Sequence, residues 1–308
     1  LRGERAVAAE LTQRVKAAAQ QLGYTPDPAA RALASRHSDH VAVLIPMLSN
    51  NLFVDVLESI QKTLRQAGYQ TLIGITHYDT REEEQLLREQ LQHRPAGILV
   101  TGLDRSEAAS ALISQSGIPC VHMMELAQSP EVHSVGFSQT QAAITLTQHL
   151  LARGRKRIAF AAAQLDPRTM QRLDGWRTAL KAAKLYDKAL TYTNKSPSSM
   201  ALGGAMLEQI LAKDPHIDAI FFCNDDLAQG ALLAAQRLKI KVPQQLAIAG
   251  FNDLTGSDLI GPGLTTIRTP RAAIGEAASQ MLLTLMRQES IPSHSVDVGY
   301  ELMVRGST

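Results

Sequence analysis

Cysteine is nearly absent from this chain: Cys120 and Cys223 are the only two in 308 residues. Both lie inside apolar, strand-like runs, which argues against a disulfide framework and for two buried free thiols. No apolar run approaches the roughly 18 residues needed to span a bilayer, and no basic, apolar, small-residue leader opens the chain. A membrane is therefore not an expected partner, and the expected location is cytoplasmic. Catalytic signatures are missing too: there is no G-x-x-x-x-G-K-[ST] loop, no G-x-G-x-x-G after a strand, no G-x-S-x-G elbow and no H-E-x-x-H pair. Ser59-Ile60-Gln61-Lys62 matches S-x-x-K, but it falls in mid-helix without partner motifs, so chance accounts for it. The nine histidines show no close-set ligand spacing and neither cysteine has a C-x-x-C neighbour. No metal, no cofactor and no catalysis are expected, and Trp176 and Phe160 read as core or cleft wall.

What is present describes an ordinary globular protein, with 45% apolar and 19% charged residues and enough length for two cores. The formal charge of +2 is too small to name a partner, but its distribution is uneven. Residues 1 to 37 carry six Lys/Arg (Arg2, Arg5, Arg14, Lys16, Arg31, Arg36) against three acids (Glu4, Glu10, Asp27), while the remainder carries 25 against 26. A basic leader on a near-neutral body suits phosphate contact, although a solvated basic helix has the same composition.

Between these two parts lies Leu22-Gly23-Tyr24-Thr25-Pro26-Asp27-Pro28-Ala29-Ala30-Arg31-Ala32-Leu33-Ala34-Ser35. Asp27 can cap a helix that starts at Pro28. That helix has room for only about two turns before the strand-like Val41-Ala42-Val43-Leu44-Ile45, too short to be stable without a partner. From the residues alone, a linker with a helical turn is an equal reading. The segment resembles the hinge of the LacI/GalR family of bacterial transcription regulators, in which a tyrosine, a proline and Ala-Arg-x-Leu join a DNA-binding headpiece to an effector-binding core. Tyr24, Pro26, Ala30, Arg31 and Leu33 carry the match. The resemblance implies that Ala30, Arg31 and Leu33 contact operator DNA, with Leu33 as a wedge in the minor groove that kinks the duplex.

Upstream, Leu11, Val15, Ala18, Ala19 and Leu22 mark one face of a single helix stopped by Gly23. By resemblance it is the third headpiece helix, so about two helices carrying the base-reading surface are expected to be absent ahead of Leu1. Downstream, strands and amphipathic helices alternate. The first array has strands at His40–Pro46, Tyr69–Ile75, Ala96–Thr101, Ile118–Met123 and His133–Phe137, and helices at Asn51–Ala67, Thr80–Gln92 and near Ser106–Gln115. The second has strands at Arg157–Ala161, Ala189–Thr193, Ile217–Cys223 and Leu246–Phe251, and helices at Thr140–Arg153, Thr169–Lys184, Ser199–Ala212 and Asp226–Leu238. A further helix, Arg271–Arg287, and a last strand near Ser295–Met303 close the chain. The expected fold is α/β: a bilobal, periplasmic-binding-protein-like core of two Rossmann-like parallel sheets with several chain crossovers. By resemblance the crossings fall near Ser138, Thr266 and Pro292. This divides the chain into headpiece remnant and hinge (1–38), first lobe (39–138 and 268–291) and second lobe (139–266 and 293–308). Ala219–Ala231, Ile240–Pro243, Ala249–Asp253 and Leu264–Ile267 extend the resemblance over essentially the whole chain.

In open parallel sheets ligands bind beyond the carboxyl ends of the strands. Those ends carry Asn50, Asn51, Leu52 and Phe53; His77, Tyr78 and Asp79; Asp104 and Arg105; Glu125; Asp166, Arg168 and Arg172; Asn194 and Lys195; Asn224 and Asp225; Asn252 and Asp253. Asn50, Asp79, Asp104, Asn224 and Asp225 serve equally well as helix caps. The resemblance selects Arg172, which precedes Leu173-Asp174-Gly175-Trp176, with Asn51, Leu52 and Phe53, Phe221, Asn224 and Asp225, and Asn252. Glu125 and Arg168, from the strand ends, complete an expected effector set of Asn51, Phe53, Glu125, Arg168, Arg172, Phe221, Asn224 and Asn252. Asn252 departs from the family pattern, standing where many relatives put a carboxylate for sugar hydroxyls. Two planar guanidinium forks and one fewer carboxylate favour an anionic polyol, although a surface ion pair is the plain alternative for either arginine. Leu165-Asp166-Pro167-Arg168-Thr169 and Val135-Gly136-Phe137 look most like the gluconate-utilisation repressors of the family. The expected protein is thus a homodimeric, operator-binding repressor that senses gluconate or a related sugar acid through Arg168 or Arg172. The alternative is a soluble binding protein of a sugar transport system, which would need an export signal and no hinge.

Overall fold

Several strands are apolar without interruption, and this sets the layers. In the computed structural model, which describes residues 8–23, 38–49 and 51–308, β1 (His40–Ile45) is buried from Val41 onward. So, along their whole length, are β3 (Gly97–Thr101), β6 (Ile158–Ala163), β8 (Ala219–Phe222) and β9 (Ala247–Asn252). Strands buried on both faces belong in parallel sheets clad by helices. The remaining strands are β2 (Gln70–Ile75), β4 (Cys120–Met124), β5 (His133–Gly136), β7 (Thr191–Asn194), β10 (Thr265–Arg268), β11 (Ser295–Asp297) and β12 (Glu301–Met303). The helices are α1 (Ala9–Gln21), α2 (Asn51–Gln66), α3 (Thr80–Gln92), α4 (Glu107–Ser116), α5 (Gln139–Ala152), α6 (Pro167–Ala182), α7 (Met200–Lys213), α8 (Asp225–Arg237) and α9 (Arg271–Met286).

Two six-stranded sheets result. The first runs β11-β5-β4-β3-β1-β2 with every neighbour parallel. The second runs β12-β10-β9-β8-β6-β7 and is parallel except for β12, which is antiparallel to β10. Helix starts are set locally: Asp79, Ser106, Ser138, Asp166, Ser199 and Asn224 each accept backbone N–H groups at the first turn of α3 to α8. Both cysteines are free, Cys223 fully buried and Cys120 partly so.

The end of the chain differs from expectation. Ser295 to Met303 is not one strand of the second lobe: Ser295 pairs with Ser134 in the first sheet, and Met303 with Thr266 in the second. Gly299, at φ +72°, breaks the run, and its N–H donates to the Asp297 side chain at 2.8 Å. The last first-lobe segment therefore extends to Asp297, and the chain crosses at residues 298–300 instead of near Pro292. The hinge residues Ala30, Arg31 and Leu33 lie outside the described residues, as does Asn50.

Candidate functional site

The carboxyl ends of the two sheets meet at α6. Asp166 caps this helix, accepting from the N–H groups of Arg168 at 3.0 Å and Thr169 at 3.4 Å, and Pro167 fits its first turn. Arg168 and Arg172 follow one turn apart, so both point along the same face. Both are buried, at 7% and 6% exposure, yet their surroundings differ.

Arg168 reaches out of the second lobe into the first. Its Nη1 donates to Glu125 at 3.4 Å and stands 3.8 Å from Asp104, while Nη2 lies 3.3 Å from Asp166. Glu125 also accepts from Gln171 Nε2 at 2.6 Å and from the Leu103 N–H at 3.2 Å. The Tyr78 ring lies under the guanidinium, 5.8 Å from its centroid. Burial opposes the charge on Arg168, but Asp166, Tyr78, Glu125 and Asp104 prevail and hold its pKa above the ordinary value. Burial pushes the Tyr78 phenol up to about 12 against the pull of Arg168.

Arg172 has no such company. Its Nε donates to Gln139 Oε1 at 2.9 Å and its Nη1 to the Cys223 carbonyl at 2.6 Å, and its guanidinium stacks over Phe251 at 3.9 Å. None of the ion pairs among the described residues involves it. Burial accordingly depresses its pKa, with Asp166 compensating only in part.

Of the expected site residues, Glu125 and Arg168 are in contact and Arg172 lies one helical turn away. The others are not joined to them by a described polar contact. Asn51 opens α2 at the surface. Phe53 is 1% exposed in the first-lobe core, and Phe221 is fully buried, stacked behind Phe251 at 6.5 Å. Asn224 caps α8 through Leu227 N–H and donates to Ser198 Oγ at 2.6 Å. Asn252 is buried at φ +114°, held by Thr269 Oγ1 donating to its Oδ1 at 3.1 Å and by Arg271 Nη1 donating to its carbonyl at 2.7 Å. Such a conformation in a non-glycine residue is costly and survives only where neighbours enforce it. Gln139, Gln171 and Phe251 are site neighbours outside the expected set. Gln139 opens α5, three residues beyond the end of β5, close enough to a strand end for the same rule to reach it.

A cavity of about 20 Å³, lined by Thr76, Tyr78, Asp79, Thr101, Asp104 and Arg168, is enough for a water molecule and not for a sugar. Among the described residues no group of His, Cys, Asp and Glu could hold a metal ion, and no helix is long and apolar enough to cross a membrane.

Comparison with known proteins agrees with this architecture. The model of a periplasmic binding protein-like domain matches residues 147–308. The HTH-type transcriptional regulator GntR of Pseudomonas aeruginosa is 52% identical over the whole of this chain and 90% of its own length. The crystal structure of transcription regulator GntR from Chromobacterium violaceum is 50% identical with a TM-score of 0.85, covering 87% of this chain and 98% of that one. A LacI-family transcriptional regulator from Silicibacter pomeroyi superposes with a TM-score of 0.92 at 31% identity, covering 99% and 92% of the two chains. These are transcriptional regulators and not enzymes, and the similarity runs through the whole chain, its N-terminal helix included. The chain belongs to the LacI family of transcriptional regulators.

Proposed function

We propose that this regulator senses gluconate or a closely related sugar acid in the cleft between its lobes and acts as a homodimeric repressor. The observation that carries the reading is the state of Arg172: a buried guanidinium in contact with an amide oxygen, a carbonyl and a ring, and with no carboxylate. An isolated buried charge is costly, so an anionic ligand group placed there is favoured twice, by pairing and by removal of the isolation. Arg168 is already neutralised by three carboxylates. Arg172 therefore takes the ligand carboxylate, and Glu125, Asn224 and Asn252, with Asn51 at the mouth, take hydroxyls. Phe53, Phe221 and Phe251 stiffen the walls.

Residues 1–38 then serve as headpiece helix and hinge, with Ala30, Arg31 and Leu33 on the operator, and the two lobes form the sensor. Ligand binding changes the angle between lobes, hence the spacing of two hinges in a dimer and their affinity for DNA. Action on DNA places the protein in the cytoplasm. The test is titration calorimetry of the chain against gluconate, with a neutral hexose and a purine base as comparators. Gluconate is expected to bind saturably, and Arg172→Ala to weaken it at least tenfold, about 1.4 kcal/mol. Equal affinity for the neutral hexose, or indifference to Arg172→Ala, overturns the sugar-acid assignment.

A further inference from the structure

Arg168, on the second lobe, is surrounded by Glu125 and Asp104 from the first, and Gln171 adds a second donor across the same gap to Glu125. The side chains of Arg168 and Glu125 are 8% and 5% exposed. The first lobe is shaped to admit the guanidinium: at Gly102, φ +79°, a Cβ would come within 2.6 Å of Arg168 Nη1 and 2.7 Å of Asp104 Oδ1. Beside the guanidinium, the first lobe leaves a cavity of about 20 Å³.

We infer that Arg168 is a tethered cation that latches the two lobes together by pairing with Glu125 and Asp104 across the cleft, and that a ligand entering beside Glu125 must displace it. The inference rests on the interlobe cleft being the effector site. It gives Arg168 a role different from that of Arg172: it binds the protein's own carboxylates, not the ligand's. A ligand that displaces it must offer donors to Glu125, which selects for hydroxyl-rich molecules at that end and against a second anion.

Hydrogen exchange of the ligand-free chain, read by mass spectrometry, tests the latch without any effector, so the gluconate assignment can fail independently. The Leu103 N–H, donated to Glu125 at 3.2 Å, reports on the first-lobe side of the latch. Arg168→Gln is expected to accelerate exchange at residues 102–105 by about tenfold or more while amides of β8 and β9 keep their wild-type protection. Glu125→Gln, which keeps the shape and an acceptor oxygen, moves exchange in the same direction by less, and Arg168→Lys restores most of the protection. Unchanged protection at residues 102–105 in both glutamine variants overturns the latch. Acceleration spread equally into β8 and β9 also overturns it, since Arg168 would then support the fold and not the closed state.

Discussion

Asp225 is fully buried among donors: Thr266 Oγ1 at 2.7 Å, the Leu254 N–H at 2.7 Å and Ser257 Oγ at 3.1 Å. It ties the start of α8 to the turn that presents Asn252 and Asp253. Burial pushes its pKa up to about 6, those hydrogen bonds opposing the rise only in part. The folded state thus binds the proton more tightly than the unfolded chain, and this residue's contribution to stability falls as pH rises from about 4 to about 6. His122 works in the opposite sense. Arg105 Nη1 donates to its Nδ1 at 2.7 Å, and burial together with that cation lowers its pKa to about 4. Its contribution rises with pH over about 4 to 6.5, because there the unfolded state binds the extra proton. Urea unfolding at pH 4.5 and 6.5 separates the two. Relative to wild type, Asp225→Asn gains ground toward the higher pH, by up to about 3 kcal/mol across the full window, and His122→Gln gains toward the lower. Parallel offsets at the two pH values for either variant would assign that residue no titration in this range.

At the scale of elements, helices are brought together through glycines. A Cβ at Gly230 of α8 would collide with the Met200 carbonyl at the start of α7, and one at Gly203 of α7 with the Leu227 carbonyl of α8. Gly175 of α6 meets Thr140 of α5, and Gly275 of α9 meets Val56 of α2, in the same manner. Gly204, one residue along α7, instead has ordinary room, its nearest neighbour Ala234 Cβ at 3.4 Å. Gly230→Ala is therefore expected to destabilise by about 3 kcal/mol or more in denaturant unfolding, since a carbonyl cannot yield as a side chain does. Gly204→Ala is expected to be neutral or to stabilise by up to about 1 kcal/mol through helix propensity. Most elements are legible in the sequence because caps and periodicity are local: Asp79, Ser106 and Asp166 mark starts, and Leu52, Phe53, Val56, Leu57, Ile60 and Leu64 mark a face. The break at Gly299 is the exception. An alternating run from Ser295 to Met303 looks continuous, and partner strands some 160 and 37 residues away decide which sheet each half joins. The site is legible in kind and less so in role. Strand ends identify Arg168, Arg172 and Glu125, but that Arg168 meets three carboxylates and Arg172 none depends on how the lobes face each other. Local spacing likewise does not tell that Phe221 stacks behind Phe251.

The whole molecule is interleaved. The first sheet is completed by β11 and packed by α9, both of which follow the second lobe in sequence, and the second sheet is completed by β12 after the chain has returned. Each lobe thus needs chain that passes through the other, and where two of the crossings lie side by side Phe137 stacks on Phe251 at 6.3 Å and meets Tyr300 at a tilt, 5.9 Å between centroids. Neither lobe can melt without loosening a segment that the other holds, so calorimetric heating should give one transition for the core. A ligand held between the lobes stabilises both at once. At a concentration of 100 Kd it adds about 2.7 kcal/mol, which for a core of this size raises the midpoint by roughly 5 °C. With gluconate at 100 Kd the single transition should move as a unit by about that amount, and at the same concentration Arg172→Ala should lose at least about half of the shift. Two separated transitions of which one alone responds would mean that the ligand grips a single lobe. Closure of the lobes on the ligand would then have no part in sensing.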